Sequence, residues 1–258
     1  MAFTYCNLGS GSAGNCTLVA AGRTTVLVDA GFSARAMTNR LALLGVKTGD
    51  IDAILLTHDH SDHVAGAVAA SRQWRVPVIC RPSVGRKLRL IERDIFAFES
   101  MGMQPFDVGD LRVTPFPVPH DAVETVAFVL AGEGMRTAVV SDLGHPTAEL
   151  TRNLSRCQVV ALEANHDVQM TRSGPYPWSL KQRILGSHGH LSNEEAGGVL
   201  AGVVGPETTQ VVLTHLSATN NAPEIALMEA RSGLEQSANP DVSVTIARQA
   251  EPSQPIRL

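Results

Sequence analysis

The sequence predicts an α/β protein, a four-layer αββα sandwich with two mixed β-sheets packed face to face and helices outside. Early extended stretches are joined by short turns, such as Gly9–Gly14 and Gly22-Arg23, which favour antiparallel hairpins. Later stretches are separated by helical patterns. No repeat or linker interrupts residues 1–258, so we expect one domain. The predicted strands are Phe3–Leu8, Asn15–Ala20, Thr24–Asp29, Ala53–Thr57, Val76–Cys80, Leu111–Pro117, Val126–Ala131, Arg136–Ser141, Gln158–Leu162, Gln210–His215 and Val242–Ala247.

Capping residues and prolines mark where helices begin and end. Ser192 and Glu195 form a capping box pattern, in which each side chain caps the backbone of the other. The tail Glu251–Leu258 contains two prolines and little apolar surface, and we expect it to be frayed. The other predicted helices run from Ser33 to Leu44, from Pro82 towards Asp94, from Thr147 to near Ser155, and from Pro223 onwards.

Composition predicts a globular protein of the cytoplasm. Hydrophobic residues make up 44% of the chain and charged residues 18%, with no apolar run long enough for a membrane helix. The N-terminus lacks the pattern of an export signal. The four cysteines form no C-x-x-C pair, so we expect reduced, mostly buried thiols rather than a thiolate zinc site. The net charge of −4 argues against a generally basic nucleic-acid binder but leaves a local basic groove open.

The strongest functional signal is the segment from Leu56 to His63, which follows an apolar strand. It places His58, His60, Asp62 and His63 within six positions. On an extended segment His58 and His60 point the same way, whereas Asp62 and His63 lie where the chain turns into a helix. This geometry can supply two metal ions. The mixture of imidazole and carboxylate ligands suits zinc, manganese or iron.

The H-x-H-x-D-H pattern after a strand resembles the signature of the metallo-β-lactamase superfamily. The resemblance implies roles for further residues at strand ends. Asp29 would brace the histidine loop, and His120 would be the third histidine of the first metal. Asp142 would bridge both metals, and His215 would be the last histidine, on the second metal. Each of these residues lies at the end of a predicted strand or shortly after it.

A narrower resemblance covers nearly the whole chain. Four further motifs resemble the bacterial YycJ/WalJ (VicX) branch of nuclease-like phosphodiesterases, to members of which 5′-to-3′ exonuclease activity on DNA is attributed. This branch tends to carry Gly-Tyr after the third-histidine motif, where this chain has Thr125-Val126-Ala127-Phe128. The departure affects substrate contacts there rather than the metals. The motifs are Leu8–Asn15, Glu163–Asp167, Gly189–Asn193 and Thr214–Asn221.

The hypothesis is therefore a dinuclear metal-dependent phosphodiesterase, with DNA exonuclease as the favoured activity and a metal-bridging hydroxide as nucleophile. Asp62 would orient the hydroxide, and His190 would stabilise the leaving oxygen. Asn165 and His190 are the candidate substrate contacts, and His166 is a candidate brace for the ligands. Two divalent ions, zinc or manganese with iron as an option, are the expected cofactors. DNA is the expected partner, with homodimerisation left open and no membrane association.

Other functions share the same ligand chemistry, because function depends on the site rather than on the fold. A small-molecule phosphodiesterase, or a thioester or lactone hydrolase, is the first alternative. An iron oxygenase or flavodiiron-type role is disfavoured by the complete dinuclear ligand set. A non-catalytic scaffold is disfavoured for the same reason, and a β-lactamase by the missing export signal.

Several polar features have both a structural and a functional interpretation. The Gly9–Gly14 loop is either a phosphate loop or, by preference, a turn braced by Asn15. The basic stretch Arg72–Arg93 is either a phosphate-binding groove or, by preference, a solvated face. A stacking platform and core packing remain equally open for Trp178, which lies near Tyr176, Lys181 and Arg183. His145 and His188 are expected to cap or brace.

Overall fold

The computed structural model describes residues 3–258, and its contacts divide the chain into two compact units. The first unit contains Met1–Pro115, Ala122–Met135 and Arg248–Leu258, and the second contains Phe116–Asp121 and Arg136–Ala247. Residues 1 and 2, which begin the N-terminal segment that lacks the pattern of an export signal, lie outside the described range. A single domain over residues 1–258 stays a prediction.

The described residues form both strands and helices, as the fold class requires. The strands are β1 (Thr4–Gly9), β2 (Cys16–Ala21), β3 (Thr24–Val28), β4 (Ala53–Leu55), β5 (Pro77–Cys80), β6 (Ala97–Ser100), β7 (Phe106–Val108), β8 (Leu111–Pro117), β9 (Val126–Gly132), β10 (Met135–Val140), β11 (Val159–Glu163), β12 (Gln210–Thr214), β13 (Ser243–Ile246) and β14 (Ile256–Arg257). The helices are α1 (Ala34–Leu43), α2 (Ser61–Val64), α3 (Ala67–Trp74), α4 (Pro82–Lys87), α5 (Ala148–Leu154), α6 (Val168–Ser173), α7 (Trp178–Ile184), α8 (Asn193–Val203) and α9 (Pro223–Leu234).

The strands form two sheets of seven, and the first sheet lies wholly in the first unit. Its order is β14-β1-β2-β3-β4-β5-β6. The pairs β1–β2 and β2–β3 are antiparallel, as the short turns predicted, and the strands from β3 to β6 run parallel. A core of Leu, Met, Phe and Val side chains between this sheet and helices α1 and α3 is buried.

The second unit holds β10, β11, β12 and β13 of the other sheet, and these four strands run parallel. All five residues of β11 are buried, as expected for a parallel strand covered on both faces. Parallel strands end at the same edge of a sheet, where ligands usually bind. The residues that follow β10, β11 and β12 therefore lie together.

Local sequence signals located most helices correctly. The side chain of Ser33 accepts a hydrogen bond from the Ala36 amide at the start of α1, and Ser192 and Glu195 form the predicted capping box of α8. The helix expected from Pro82 towards Asp94 is shorter than predicted. In the structure, α4 begins at Pro82 and ends at Lys87. Strands β6, β7 and β14, and helices α6 and α7, were not predicted.

The C-terminal tail is ordered, so the expectation of a frayed tail is wrong. Ile256 pairs with Tyr5 as strand β14. The Ser253 amide donates to the carbonyl of Asn7 at 2.8 Å, and the Leu258 amide donates to the carbonyl of Phe3 at 2.9 Å. The tail thus covers the open edge of β1, which would otherwise present unpaired backbone groups.

Two further expectations concern cysteines and membranes. All four cysteines are free and buried, as predicted. Burial raises the pKa of the Cys157 thiol to about 11 and that of Cys80 to about 12.

Across residues 3–258, every helix is too short or too polar to span a bilayer.

We predict that deleting residues 251–258 destabilises the folded chain by about 2 to 4 kcal/mol. The deletion removes several backbone hydrogen bonds at the edge of β1, each worth about 1 kcal/mol. Urea unfolding followed by circular dichroism gives the free energy of unfolding. An unchanged value in a truncated protein with a native spectrum would show that the tail contributes nothing.

Candidate metal centre

The predicted ligand segment of the first unit brings its histidines together. His58 and His60 lie between β4 and α2, and Asp62 and His63 lie in the first turn of α2. The ring centroids of His58 and His60 are 4.7 Å apart, and those of His58 and His63 are 4.2 Å apart. His58 and His63 are fully buried, and His60 and Asp62 are partly exposed.

Asp29 fixes the orientation of two of these rings. Its Oδ2 atom accepts a hydrogen bond of 2.7 Å from His63 Nδ1, and its Oδ1 accepts one of 2.9 Å from the Thr57 amide. The Thr57 hydroxyl donates to Asp29, so it accepts from His58 Nδ1, which lies 2.9 Å away. With both Nδ1 atoms protonated, Nε2 is the nitrogen that can bind a metal.

The glycine-rich turn before β2 folds around the side chain of Asn15. The Asn15 Oδ1 atom accepts from the Gly11 amide at 2.9 Å, and Nδ2 lies 3.1 Å from His63 Nε2 and 3.4 Å from Asp62 Oδ2. Gly31 packs so closely that a Cβ there would lie 1.7 Å from the Asp62 carbonyl oxygen. These contacts favour the braced turn over a phosphate loop.

Asp59, inside the ligand segment, is tied to α4. Its side chain is only 4% exposed, accepts from the Val123 amide at 2.9 Å and lies 2.5 Å from Lys87 Nζ. Burial opposes the charged form of Asp59, but the Lys87 ammonium and the Val123 amide outweigh it and lower the pKa of the carboxyl. The sequence pattern gave Lys87 no such role, because it lies 28 positions further along the chain.

Acidic side chains neutralise much of the basic stretch Arg72–Arg93. This pairing favours the solvated face over a continuous phosphate-binding groove, because neighbouring carboxylates lower the positive potential that would attract a phosphate chain. The pairs are Arg72–Asp94, Arg81–Glu124, Lys87–Asp59 and Arg89–Glu92.

The second unit gathers its candidate ligands at the edge where its parallel strands end. Asp142 lies two residues after the end of β10, Glu163 is the last residue of β11, and His215 directly follows β12. Together with His190 they form a cluster whose possible metal-binding atoms all lie within 4.8 Å of one another. Asp142, Glu163 and His215 are buried, and His190 is partly exposed.

The buried carboxylate of Glu163 holds this cluster together. Its Oε1 atom accepts from His215 Nδ1 at 2.8 Å and from His190 Nδ1 at 2.9 Å. Its Oε2 atom accepts from the amides of Leu143 and Leu191, both at 3.1 Å. The sequence pattern marks Glu163 as a strand-end residue in a motif but does not show that it orients two histidines.

Electrostatics within the cluster keeps Glu163 ionised. Burial opposes its charge, but His190 beside it and the hydrogen bonds from both rings outweigh that cost and lower the pKa of Glu163 to about 2. Burial also opposes a charge on His190, yet the Glu163 carboxylate outweighs it and raises the pKa of that ring. An ionised Glu163 is a strong acceptor, which fixes both rings with Nδ1 towards it.

His120, on the loop after β8, follows the same pattern. Its Nδ1 donates to the carbonyl of Gly189 at 2.9 Å, and its Nε2 lies 3.6 Å from Asp142 Oδ1. A Cβ at position 189 would lie 2.2 Å from the Arg183 carbonyl oxygen, so this close approach requires glycine. Nε2 is again the nitrogen available to a metal.

Three of the strand-end residues have left-handed backbones, which side chains rarely adopt. The φ angle is 63° at Asp29, 56° at Asp142 and 55° at His215. Such a conformation costs a non-glycine residue about 1 kcal/mol or more, and it clusters at functional sites. It turns each side chain sharply at the end of its strand.

Other predicted residues occupy bracing or surface positions. Asn165 is 4% exposed and donates to the carbonyl of His215 at 2.8 Å, so it supports that residue, and its substrate contact stays a prediction. His145 Nδ1 lies 2.8 Å from the Ser187 carbonyl oxygen and His188 Nδ1 lies 3.2 Å from the Ser187 hydroxyl, and their bracing role stays a prediction. Trp178 is 67% exposed, so it is not a core residue and the stacking interpretation remains.

Comparison with known proteins places this arrangement in a defined class. The Beta-lactamase superfamily domain matches residues 24–216. The protein titled YhfI from Bacillus subtilis, described as having the metallo-β-lactamase fold, has a TM-score of 0.74 at 17% identity, with 97% of this chain and 99% of that chain covered. The predicted fold class, with its two mixed sheets and flanking helices, is confirmed.

Two bacterial relatives match nearly the whole chain. The exodeoxyribonuclease YycJ of Bacillus anthracis is 33% identical over 92% of this chain and 90% of its own. The exodeoxyribonuclease WalJ of Streptococcus pneumoniae is 34% identical over 88% of this chain and 86% of its own. The chain therefore belongs to the beta-lactamase superfamily, within its YycJ/WalJ family, and is a metal-dependent hydrolase.

We predict that Glu163→Gln weakens metal binding about 10- to 100-fold, the range typical for losing a partner that orients metal ligands. Glutamine keeps the shape but removes the charge that holds the Nδ1 atoms of His190 and His215. Competition with a chelating dye measures the affinity for zinc. Glu235→Gln, an exposed residue at the end of α9, is the matched control and should bind zinc as the wild type does. Equal affinity in both variants would refute the orienting role.

Proposed function

We propose that this hydrolase is a DNA exonuclease that cleaves phosphodiester bonds with two divalent metal ions. The observation that supports it most is the cluster of Asp142, His190 and His215 around a buried, ionised Glu163. The relatives named as exodeoxyribonucleases, matched over nearly the whole chain, support DNA as the substrate.

The residues present fit a two-metal centre by the chemistry of their donors. Oriented imidazoles with Nδ1 engaged, together with buried carboxylates, are the ligands that zinc and manganese accept in hydrolases. We assign His58, His60 and His120 to one ion and Asp62, His63 and His215 to the other. Asp142 would be shared by both. Zinc or manganese is the proposed metal, with iron as an option.

Bound divalent ions supply an activated water at neutral pH and neutralise charge on the phosphoryl oxygens. The protein's own groups supply orientation. Asp62 would position the attacking water, and Asn15, 3.4 Å from its Oδ2, holds that carboxylate in place. His190 presents its Nε2 to the leaving oxygen, because Glu163 holds its Nδ1. Asp29 and Glu163 keep the ligand rings aligned.

The test is an assay of protein reconstituted with zinc or manganese on 5′-labelled single- and double-stranded DNA. Bis-p-nitrophenyl phosphate is assayed in parallel as a small diester. We expect stepwise release of mononucleotides that requires metal and falls by at least about 10- to 100-fold in Asp142→Ala. Asp241→Ala, an exposed aspartate before β13, is the control and should cleave normally.

The outcomes separate the alternatives. Cleavage of the small diester alone would indicate a small-molecule phosphodiesterase. Cleavage of neither substrate would contradict a phosphodiesterase and direct attention to thioesters and lactones. Internal cuts without mononucleotides would indicate an endonuclease.

Salt dependence gives a second prediction. A DNA strand carries condensed counterions that a bound protein displaces, so DNA binding weakens steeply as salt rises. We expect kcat/KM on DNA to fall at least about tenfold between 50 and 200 mM salt, whereas turnover of bis-p-nitrophenyl phosphate changes little. Parallel loss of both activities would mean that salt acts on the metal centre instead.

A further inference from the structure

We propose that a cleft in the second unit binds the terminal nucleotide of the substrate, and this proposal rests on the proposed nuclease function. The cleft has a volume of about 570 Å³ and is lined by residues of α6, α7's C-terminal end and the start of α8. Its walls include His166, Arg172 and His190. A nucleoside monophosphate fits such a volume, which is within the range of small-molecule sites.

His166 is the first observation that points to a ligand. The residue is 2% exposed, and its Nδ1 atom is buried without a hydrogen-bond partner among the residues that the structure describes. His166 lines the cleft, and buried polar atoms are nearly always paired, so its unpaired Nδ1 calls for a partner that the described residues do not supply. Burial lowers the pKa of His166, so the neutral ring offers one donor and one acceptor.

The composition of the walls favours a nucleotide over a bare phosphate. Arg172 is exposed and lines the cleft, where its guanidinium can bind a phosphate. Val168 and Leu185 supply apolar surface for a sugar or base. Glu194 and Glu195 also line the cleft. The Glu195 carboxylate accepts from Ser192 in the capping box of α8, whereas the Glu194 carboxylate can accept from the amino group of a base, which a bare phosphate lacks.

The position of the cleft connects it to the proposed chemistry. His190 lines the cleft and also belongs to the cluster at the strand ends, where its Nδ1 lies 3.5 Å from Asp142 Oδ1. Gly144, two residues after Asp142, lines the cleft as well. A nucleotide seated against His166 would therefore have one end beside the residues assigned to cleavage.

The test is calorimetric titration of the metal-loaded protein with deoxyadenosine 5′-monophosphate. We expect His166→Phe, which keeps the ring but removes its hydrogen bonds, and Arg172→Ala each to weaken binding about tenfold. His166→Gln, which restores a donor and an acceptor, should recover part of the affinity. Arg152→Ala, an exposed arginine of α5, is the matched control and should bind as the wild type does.

Inorganic phosphate, titrated alone, should bind at least about tenfold more weakly than the nucleotide if the base and sugar contribute. Wild-type affinity in both cleft variants, or no measurable nucleotide binding by the wild-type protein, would overturn the subsite. Nucleotide binding that depends on His166 and Arg172 in a protein that cleaves no diester would instead overturn the proposed function and leave the subsite standing.

Discussion

Burial of a single carboxylate determines the arrangement of the candidate metal centre. Burying an ionised Glu163 away from water costs free energy unless its carboxylate oxygens accept hydrogen bonds. The side chains of His190 and His215 and two backbone amides donate those hydrogen bonds. The same hydrogen bonds that stabilise the carboxylate also fix the orientation of the two imidazole rings. Each ring therefore turns Nε2 away from Glu163 before any metal arrives, which reduces the ordering that binding requires.

The fold supplies the positions that this constraint needs. Parallel strands bring Asp142, Glu163 and His215 to one edge, and left-handed backbones at Asp142 and His215 turn their side chains at the strand ends. In the first unit, Asp29 also has a left-handed backbone, and its carboxylate orients the ring of His63 by accepting a hydrogen bond from Nδ1. In both units, a strained backbone conformation therefore occurs at the position where a carboxylate or imidazole side chain must be oriented.

Local patterns in the sequence were sufficient for the fold class, most strands and the helix caps, because capping and strand periodicity depend on neighbouring residues. They were not sufficient for interactions between distant segments. Glu163 contacts histidines 27 and 52 positions away, so its importance is invisible without the fold. The order of the tail is invisible for the same reason, since it comes from pairing with β1 at the opposite end of the chain. The exposure of Trp178 likewise depends on tertiary packing, which composition cannot give.

The central claim is that buried acceptors fix the histidines so that two metals are bound through Nε2. A crystal structure of the manganese-loaded protein, with anomalous scattering recorded at the manganese edge, tests it most directly. The account predicts two manganese peaks, ligated by the Nε2 atoms of His58, His63, His120 and His215, with Glu163 still bonded to Nδ1 of His215. A single peak, or ligation of His215 through Nδ1 with Glu163 displaced, would contradict it.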